Sequence, residues 1–271
     1  MAVIRIFSYL PNPRIMKANI AARLCGVEIE IRGDKPKELI NWLWDFDARP
    51  LEVDDFEHKD VVQVQPSSGF DKTLHKTNAF LEAHPFGTVP AAFSPNGNIG
   101  IFESNSILRT VARLGQGKEK LYGSGPYEAS RIDSFLDVSL VFARQSQIYL
   151  LALSQGAPDL QTRNQTATAL EYYLSGIDNA LKNKLNGLVN NQLSIADICF
   201  VCEICQISRE SAHLKNLKNL NIDVVYDQKK LGAKYPRAMG HFDRLCDHPD
   251  FSPDISPFME KLSRIEKESS I

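Results

Sequence analysis

The chain lacks the features that would place it in several broad classes of protein. It contains no run of about 18 apolar residues, the length typical of a membrane-spanning helix. Its net charge is only −2, which gives no electrostatic reason to expect nucleic acid or anionic membrane as a partner. Its start, MAVIRIFSYLPNPR, has too short an apolar stretch for a signal peptide and holds an arginine within it. We therefore expect a cytoplasmic protein.

Cysteine is scarce and odd in number, which argues against a disulfide framework. Five cysteines in 271 residues, without a secretion signal, predict reduced thiols. Cys199, Cys202 and Cys205 recur at every third position, as in some iron–sulfur proteins. The surrounding segment has a helical pattern, so this spacing places them along one side of a helix, and cysteine is among the most buried residue types. We interpret them as core residues and expect no bound metal.

The chain opens with a β-α-β pattern. The composition, 43% hydrophobic and 24% charged, is that of a soluble globular protein with room for one large or two medium domains. Residues 3–9 alternate as a strand, 14–24 have helical spacing and stop before Gly26, and 27–31 alternate again. Such an opening normally has parallel strands joined by a right-handed crossover.

The stretch Gly-Thr-Val-Pro at 87–90 is the most informative part of the sequence. Two apolar runs follow it, 91–94 and 99–102, which flank a Pro-Asn-Gly-Asn turn and predict a hairpin, and a helix begins at Ser104. A cis bond before the proline would direct the N–H and C=O of Val89 outward. The helix start offers free N–H groups and the positive end of a dipole. Together these groups predict a site for an extended, acidic small peptide.

The remaining patterns divide the chain into two domains. Between the opening and the hairpin, a short helix is predicted over 37–45, an extended piece over 61–64 and a helix over 73–82. The element order is that of a thioredoxin-like α/β domain with a mixed four-stranded sheet, over 1–114, with an insert at about 34–70. A glycine-rich link over 115–126 leads to an all-α domain, a helical bundle, over 127–271. Its helices are predicted over 127–152, 158–185, 194–211, 235–247 and 251–263.

A second local signal lies at 193–198, Leu-Ser-Ile-Ala-Asp-Ile. Ser194 is a good N-cap, and Asp197 can accept a bond from the backbone N–H of Ser194 in return. We interpret it as a well-capped buried helix that matters for folding.

Three motifs in this order resemble the cytosolic glutathione transferase superfamily. They are Pro-Phe-Gly-Thr-Val-Pro at 85–90, Phe-Glu-Ser-Asn-Ser-Ile at 102–107 and Leu-Ser-Ile-Ala-Asp at 193–197. Residues 8–18 are similar to the transferase-like domain of the elongation factor complex gamma subunit. The resemblance implies glutathione as co-substrate in the first domain, a pocket for a hydrophobic electrophile between the domains, and a homodimer or a heterodimer with a related subunit.

The span 31–84 is longer than this family pattern. Two interpretations are open for its aromatic residues, Trp42, Trp44 and Phe46. They form a surface for the second substrate or for the subunit interface, or they pack the insert onto the rest of the domain.

The resemblance also implies roles for the residues that would hold glutathione. Val89 acts through its backbone, whose shape Pro90 keeps, and Thr88 adds a side-chain contact. Ser104 and its N–H take the γ-glutamyl carboxylate, and Glu103 accepts from the γ-glutamyl ammonium or orders the turn.

The reaction requires a thiolate, and a free thiol with a pKa near 8.5 is mostly protonated at neutral pH, so the site must supply a donor. In the loop after the first strand, Asn12 is our first candidate, with helix capping as its alternative role. Ser8 and Tyr9 are the other candidates, and Arg14 either holds a glutathione carboxylate or is solvated.

For the second substrate, the resemblance points to the first helix of the helical domain. Phe142, Arg144 and Tyr149 lie there, although an aromatic stripe on such a helix is more often core than pocket.

Three functions compete at this point. The first is a glutathione transferase that attacks an aromatic electrophile, with β-aryl ether cleavage as one form of the reaction. The alternative is a non-catalytic assembly module, as in the elongation factor gamma subunit. A thioredoxin-type redox protein is disfavoured, because no Cys-x-x-Cys follows the first strand.

Overall fold

The computed structural model describes residues 3–66, 69–115 and 120–269. It divides into two compact units, Met1–Glu119 and Lys120–Ile271. The first holds a mixed four-stranded sheet and the second is helical, so the predicted fold class is confirmed. Part of the predicted link, residues 116–119, lies outside the described residues. None of the described helices has the length and hydropathy that a membrane span requires.

The first unit contains eight strands and three α-helices within its described residues. They are β1 (Ile4–Phe7), α1 (Pro13–Cys25), β2 (Ile29–Arg32), β3 (Trp42–Trp44), β4 (Arg49–Pro50), β5 (Val61–Val64), β6 (Leu74–Thr77), α2 (Asn78–Ala83), β7 (Ala91–Phe93), β8 (Gly100–Phe102) and α3 (Ser104–Leu114).

The main sheet has the order β2-β1-β7-β8. β1 runs parallel to β2 and antiparallel to β7, and β7 and β8 form the predicted hairpin. α1 ends at Gly26, whose φ of 67° is a left-handed conformation that glycine adopts without steric strain. The β-α-β opening and the hairpin are therefore confirmed.

The segment between β2 and α2 builds a second sheet, with the order β4-β3-β6-β5, in which β6 follows the predicted insert of about 34–70. This corrects two predictions. The helix expected over 37–45 is a 3₁₀-helix, Pro36–Asn41, followed by β3. The first part of the helix expected over 73–82 is β6, and α2 begins only at Asn78. The residues of β6 alternate between buried and half-buried and pair with β3 on one side and β5 on the other, so pairing with distant strands outweighs the local helical pattern.

The aromatic residues of the insert pack it onto the main sheet. Trp44 is 1% exposed, meets Phe7 and Phe80 edge to face, and donates from Nε1 to the carbonyl of Leu39 at 3.0 Å. Trp42 and Phe46 are half-buried against the same core cluster. Of the two interpretations of these residues, the structure favours packing. The cluster consists of Phe7, Leu39, Trp44, Ala48, Leu74, Phe80, Ala91 and Phe93.

The second unit is a bundle of helices. Its described α-helices are α4 (Pro126–Ser154), α5 (Leu160–Ala180), α6 (Ile195–Ile207), α7 (Leu214–Asn219), α8 (Gln228–Lys234), α9 (Pro236–Cys246) and α10 (Ser252–Ser269). The sequence analysis missed α7 and α8, because six and seven residues are too few to show a helical period.

The predicted capping of α6 is confirmed and extends into a buried network. Asp197 is fully buried and accepts four hydrogen bonds, from Leu188 N, Ser194 N, Ser194 Oγ and His241 Nε2, at 2.8–2.9 Å. This one carboxylate therefore joins the loop before α6, the start of α6 and α9. The three cysteines of α6 are at most 1% exposed, as the core interpretation predicts.

Candidate functional site

Strand pairing brings the two halves of the predicted peptide site together. Ala91 of β7 lies opposite Phe102 of β8. Pro90 immediately precedes the first residue of this pair and Glu103 immediately follows the second, so the Val89 backbone and the start of α3 lie at the same end of the hairpin. The Val89-Pro90 bond is cis. The structure thus places 88–90 beside 103–104 within one unit.

The backbone of Val89 is available for a ligand. Val89 is half-buried against the core cluster, and neither its N–H nor its C=O has a hydrogen-bond partner among the described residues. Thr88 next to it is exposed. An extended peptide can pair with such a segment as a further strand does.

The start of α3 is strained and open. Glu103 is exposed and has φ 67° and ψ 125°, a conformation that costs a non-glycine residue about 1–3 kcal/mol. Its side chain makes no capping hydrogen bond, and the N–H of Ser104 has no partner in the described part of the chain. The helix start therefore keeps a donor and the positive end of its dipole for an anion.

A buried lysine that the sequence analysis missed lies against this helix start. Lys17 of α1 is 1% exposed, and its Nζ donates to Ser104 Oγ at 3.3 Å and to Asn105 Oδ1 at 2.8 Å. The sequence does hold one sign of this role: Lys17 lies among the apolar residues on the buried side of α1. A lysine in such a position is rarely buried without a hydrogen-bonding partner. The ammonium adds positive charge beside Ser104.

The candidate thiolate donors lie together in the loop after β1, with different exposures. Asn12 is 2% exposed and caps α1 by accepting from Arg14 N at 3.0 Å, and its Nδ2 donates to Ser8 Oγ at 3.1 Å. Ser8 is fully buried. Tyr9 and Arg14 are half-buried. The capping role weighed for Asn12 is therefore present.

The loop that leads to Val89 is held on both sides of Gly87. The N–H of Gly87 donates to His84 O at 2.8 Å and to His84 Nδ1 at 3.1 Å. Its carbonyl accepts from Lys76 Nζ at 2.6 Å, and this ammonium lies 4.6 Å from the centre of the Trp44 ring. Burial lowers the pKa of both Lys76 and His84, and the Lys76 charge lowers the pKa of His84 further. Neither role was predicted: Lys76 lies on β6, which has a helical sequence pattern, and the contact of His84 with Gly87 depends on the turn after α2.

The structure does not bring the second-substrate candidates together on a surface. Phe142 is 1% exposed and stacks on Tyr173, with ring centres 5.4 Å apart. Tyr149 is fully buried and donates to Glu210 Oε1 at 2.6 Å, and burial raises its pKa. Arg144 is exposed. The two aromatic residues lie in the core of the helical unit, where a ligand does not reach them.

The described residues hold one more concave feature, in the insert. A depression of about 520 Å³ is lined in part by the apolar side chains of Ile40, Leu51 and Phe56. His75 lines it as well, and its Nδ1 is buried without a hydrogen-bond partner among residues 3–66, 69–115 and 120–269. Ile40 packs against the same core cluster as Val89. Within the described residues, no three His, Cys, Asp or Glu side chains are arranged to hold a metal ion.

Comparison with known proteins gives sequence relatives of two kinds. A probable elongation factor 1-gamma of Arabidopsis thaliana is 34% identical over 145 residues, which are 51% of this chain and 33% of that protein. A glutathione S-transferase-like protein of a Fusarium species is 25% identical over 72% of this chain and 73% of that protein. The chain thus spans about a third of the length of the first relative. No protein-family model matches the chain.

Solved structures confirm the fold. A glutathione S-transferase of Methylobacillus flagellatus, solved with glutathione bound, has a TM-score of 0.57 and 13% identity, over 93% of this chain and 98% of that one. The chain therefore has the fold of the glutathione transferases, and the predicted resemblance to that superfamily and to elongation factor 1-gamma is confirmed.

Proposed function

We propose that this chain, which has the glutathione transferase fold, binds glutathione and uses its thiolate to attack a hydrophobic, aromatic electrophile, with β-aryl ether cleavage as one such reaction. The observation that carries the proposal is the pairing of Ala91 with Phe102. It sets the Val89 backbone, which has no hydrogen-bond partner in the described part of the chain, beside the start of α3. Glutathione is an extended peptide with carboxylates, and these two features suit its backbone and one of its anionic ends.

Each part of the tripeptide then has a partner. The cysteinyl part pairs with the backbone of Val89, in the loop shaped by Thr88 and Pro90. The γ-glutamyl carboxylate takes the N–H and hydroxyl of Ser104, where the Lys17 ammonium adds attraction. Glu103 accepts from the γ-glutamyl ammonium. Arg14, half-buried in the first turn of α1, is the candidate for the remaining carboxylate.

We infer the thiolate donor from the different exposures of the three candidates. Ser8 and Asn12 are at most 2% exposed and bond to each other, so their role is to fix the loop. Tyr9 is half-buried and packs against the core cluster of the first unit, and it is the most exposed of the three candidates. We therefore assign the donor role to Tyr9 and a positioning role to the Ser8–Asn12 pair.

Removal of the Tyr9 hydroxyl should raise the pKa of the bound glutathione thiol by about 1–2, because one hydrogen bond to a charged group is worth about 1.5–3 kcal/mol. The measurement is a pH titration of the thiolate absorbance of bound glutathione, with Tyr9→Phe against the wild type. Tyr127→Phe is the control, because Tyr127 is exposed in the other unit. If the thiol pKa is unchanged in Tyr9→Phe and raised in Asn12→Ala, the thiolate donor is Asn12 and not Tyr9.

The second candidate function is a non-catalytic assembly module. The identity with elongation factor 1-gamma over half of this chain favours it. Under either function we propose a dimer, of two copies or with a related subunit, and a cytoplasmic location.

Retention on immobilised glutathione, followed by turnover of aryl halides and an aryl ether, separates the two functions. The enzyme requires both retention and turnover. Retention without turnover of any of these substrates favours the assembly module, and no binding of glutathione at millimolar concentration rejects the proposed site.

A further inference from the structure

The outer strand β5 lacks the features that usually keep the edge of a sheet unpaired. It lies at one end of the order β4-β3-β6-β5, and in the described part of the chain its strand partner is β6 alone. Its sequence, Val-Val-Gln-Val at 61–64, has no charged residue and no proline. Charged side chains, proline and very short length are the means by which proteins prevent an edge strand from pairing with another chain. β5 therefore presents an unprotected edge.

The other outer strands of the two described sheets have such protection. β4, at the opposite end of the same sheet, is two residues long and consists of Arg49 and Pro50. β2 carries Glu30 and Arg32, which form an ion pair at 2.8 Å. β8 is only three residues long, Gly100–Phe102. Among these four outer strands, β5 is the one that combines four residues with no charge.

Every second residue of β5 directs its backbone groups away from β6. The N–H of Asn78 donates to Asp60 O at 2.9 Å, and these two residues continue the β5–β6 register. Hydrogen bonds in an antiparallel pair recur at alternate residues, so the groups of Val62 and Val64 face β6 and those of Gln63 face outward. No hydrogen bond from another part of the described chain reaches the backbone of Gln63. The edge therefore offers a donor and an acceptor at this residue.

The outward groups of β5 are complementary to those of a second copy of the same strand. In an antiparallel pair centred on Gln63, each Gln63 N–H would donate to the Gln63 carbonyl of the second copy, and each Gln65 N–H to its Val61 carbonyl. The same register sets Val62 opposite Val64 of the second copy, and these valines are 37% exposed and half-buried. Residues 61–65 carry no charge, so two copies meet there without repulsion. Hydrogen bonds, apolar side chains and charge thus all fit the same occupant.

We propose that β5 is an interface at which two copies of this chain pair edge to edge and antiparallel, so that their two four-stranded sheets join into one. Five residues on each side are fewer than the roughly 20–30 of a stable interface, so this pairing is reversible and depends on protein concentration. The inference goes beyond the proposed function and does not depend on glutathione binding. It gives an interface to the dimer of two copies proposed above.

Sedimentation velocity of the full chain, over a range of concentrations and without glutathione, measures the pairing. Gln63→Pro removes the outward N–H and leaves the hydrogen bonds of β5 to β6 in place, so we expect it to abolish the association. Gln63→Lys sets two like charges opposite each other across the twofold axis and should weaken association about tenfold, with partial recovery at high salt. Gln63→Thr is the matched control, because it keeps the backbone donor and adds no charge. It should associate as the wild type does.

A disulfide trap tests the register of the pair. Opposed residues that exchange hydrogen bonds have Cα atoms about 5.5 Å apart, a distance that a disulfide spans. Gln63→Cys, oxidised with copper phenanthroline, should therefore form a covalent dimer. Val53→Cys is the control, because Val53 is 84% exposed and lies outside the strands, and it should form far less.

A wild type that is monomeric at every concentration overturns the inference, whether or not the edge binds a different chain. Association that is unchanged in Gln63→Pro and in Gln63→Lys also overturns it, and then the dimer uses another surface. If Gln63→Pro does not fold, Gln63→Lys and the disulfide trap decide. Glutathione takes no part in these measurements, so their failure leaves the proposed function untouched.

Discussion

Asp197→Ala should lower the free energy of unfolding of the helical unit by about 4 kcal/mol, since each buried donor left without its acceptor costs about 1–3 kcal/mol. The carboxylate accepts four hydrogen bonds, and its removal leaves Leu188 N, Ser194 N and His241 Nε2 without their acceptor. His241 gains no easy replacement, because it is 1% exposed and its other ring nitrogen already contacts Arg244. For a unit of this size the midpoint of thermal unfolding should fall by about 10 °C.

Far-ultraviolet circular dichroism follows the helices, and tryptophan fluorescence follows the first unit, because both tryptophans of the chain lie there. We expect the dichroism transition to shift in Asp197→Ala. Asp223→Ala is the matched control, because the Asp223 side chain is exposed and its carbonyl, which accepts from Arg163, is retained. That control should stay within about 0.5 kcal/mol of the wild type. Equal shifts in the two variants would show that the buried hydrogen bonds of Asp197 do not contribute to the stability of the helical unit.

Ser104→Ala should weaken glutathione binding about 10- to 100-fold, because it removes the proposed hydrogen bond from the hydroxyl to the γ-glutamyl carboxylate, worth about 1.5–3 kcal/mol. It also removes the acceptor that Lys17 Nζ contacts at 3.3 Å, so the ammonium loses part of its fixed position. The backbone N–H and the dipole of α3 remain, and for that reason we expect weakened binding and not a complete loss.

Calorimetric titration with glutathione measures this effect. Ser106→Ala is the matched control: it lies in the same helix two residues further on, and the backbone carbonyl of Ser106, which accepts from Thr110, is retained. Ser106→Ala should bind as the wild type does. The same affinity in both variants would remove Ser104 from the site.

The features that the sequence predicts correctly are those encoded by short, local patterns. Gly26 ends α1 because its backbone is left-handed, and the Pro-Asn-Gly-Asn turn joins β7 to β8. The Ser194–Asp197 capping box forms within four residues. Each depends on neighbours in the chain, so no knowledge of the rest of the fold is required.

The features that sequence reasoning missed depend on distant partners. β6 becomes a strand because β3 and β5 lie beside it, and no pattern within 74–77 records those neighbours. The roles of Lys17 and Lys76 follow from carbonyl and hydroxyl groups up to 88 residues away in the chain. The wrong expectation for Tyr149 has the same cause, because an aromatic residue on a helix can line a pocket or pack in a core. The hydrogen bond from its hydroxyl to the distant Glu210 places it in the core.

Under the proposed transferase function, the burial of the cysteines has a chemical consequence. Cys25, Cys199, Cys202 and Cys205 are buried, and burial together with Asp243 and Asp247 raises the pKa of Cys246 to about 12. Alkylating agents react with thiolates, and these sulfurs are either inaccessible or protonated at neutral pH. If the proposed function is correct, the chain's own thiols would therefore not compete with the bound glutathione thiolate for the electrophile.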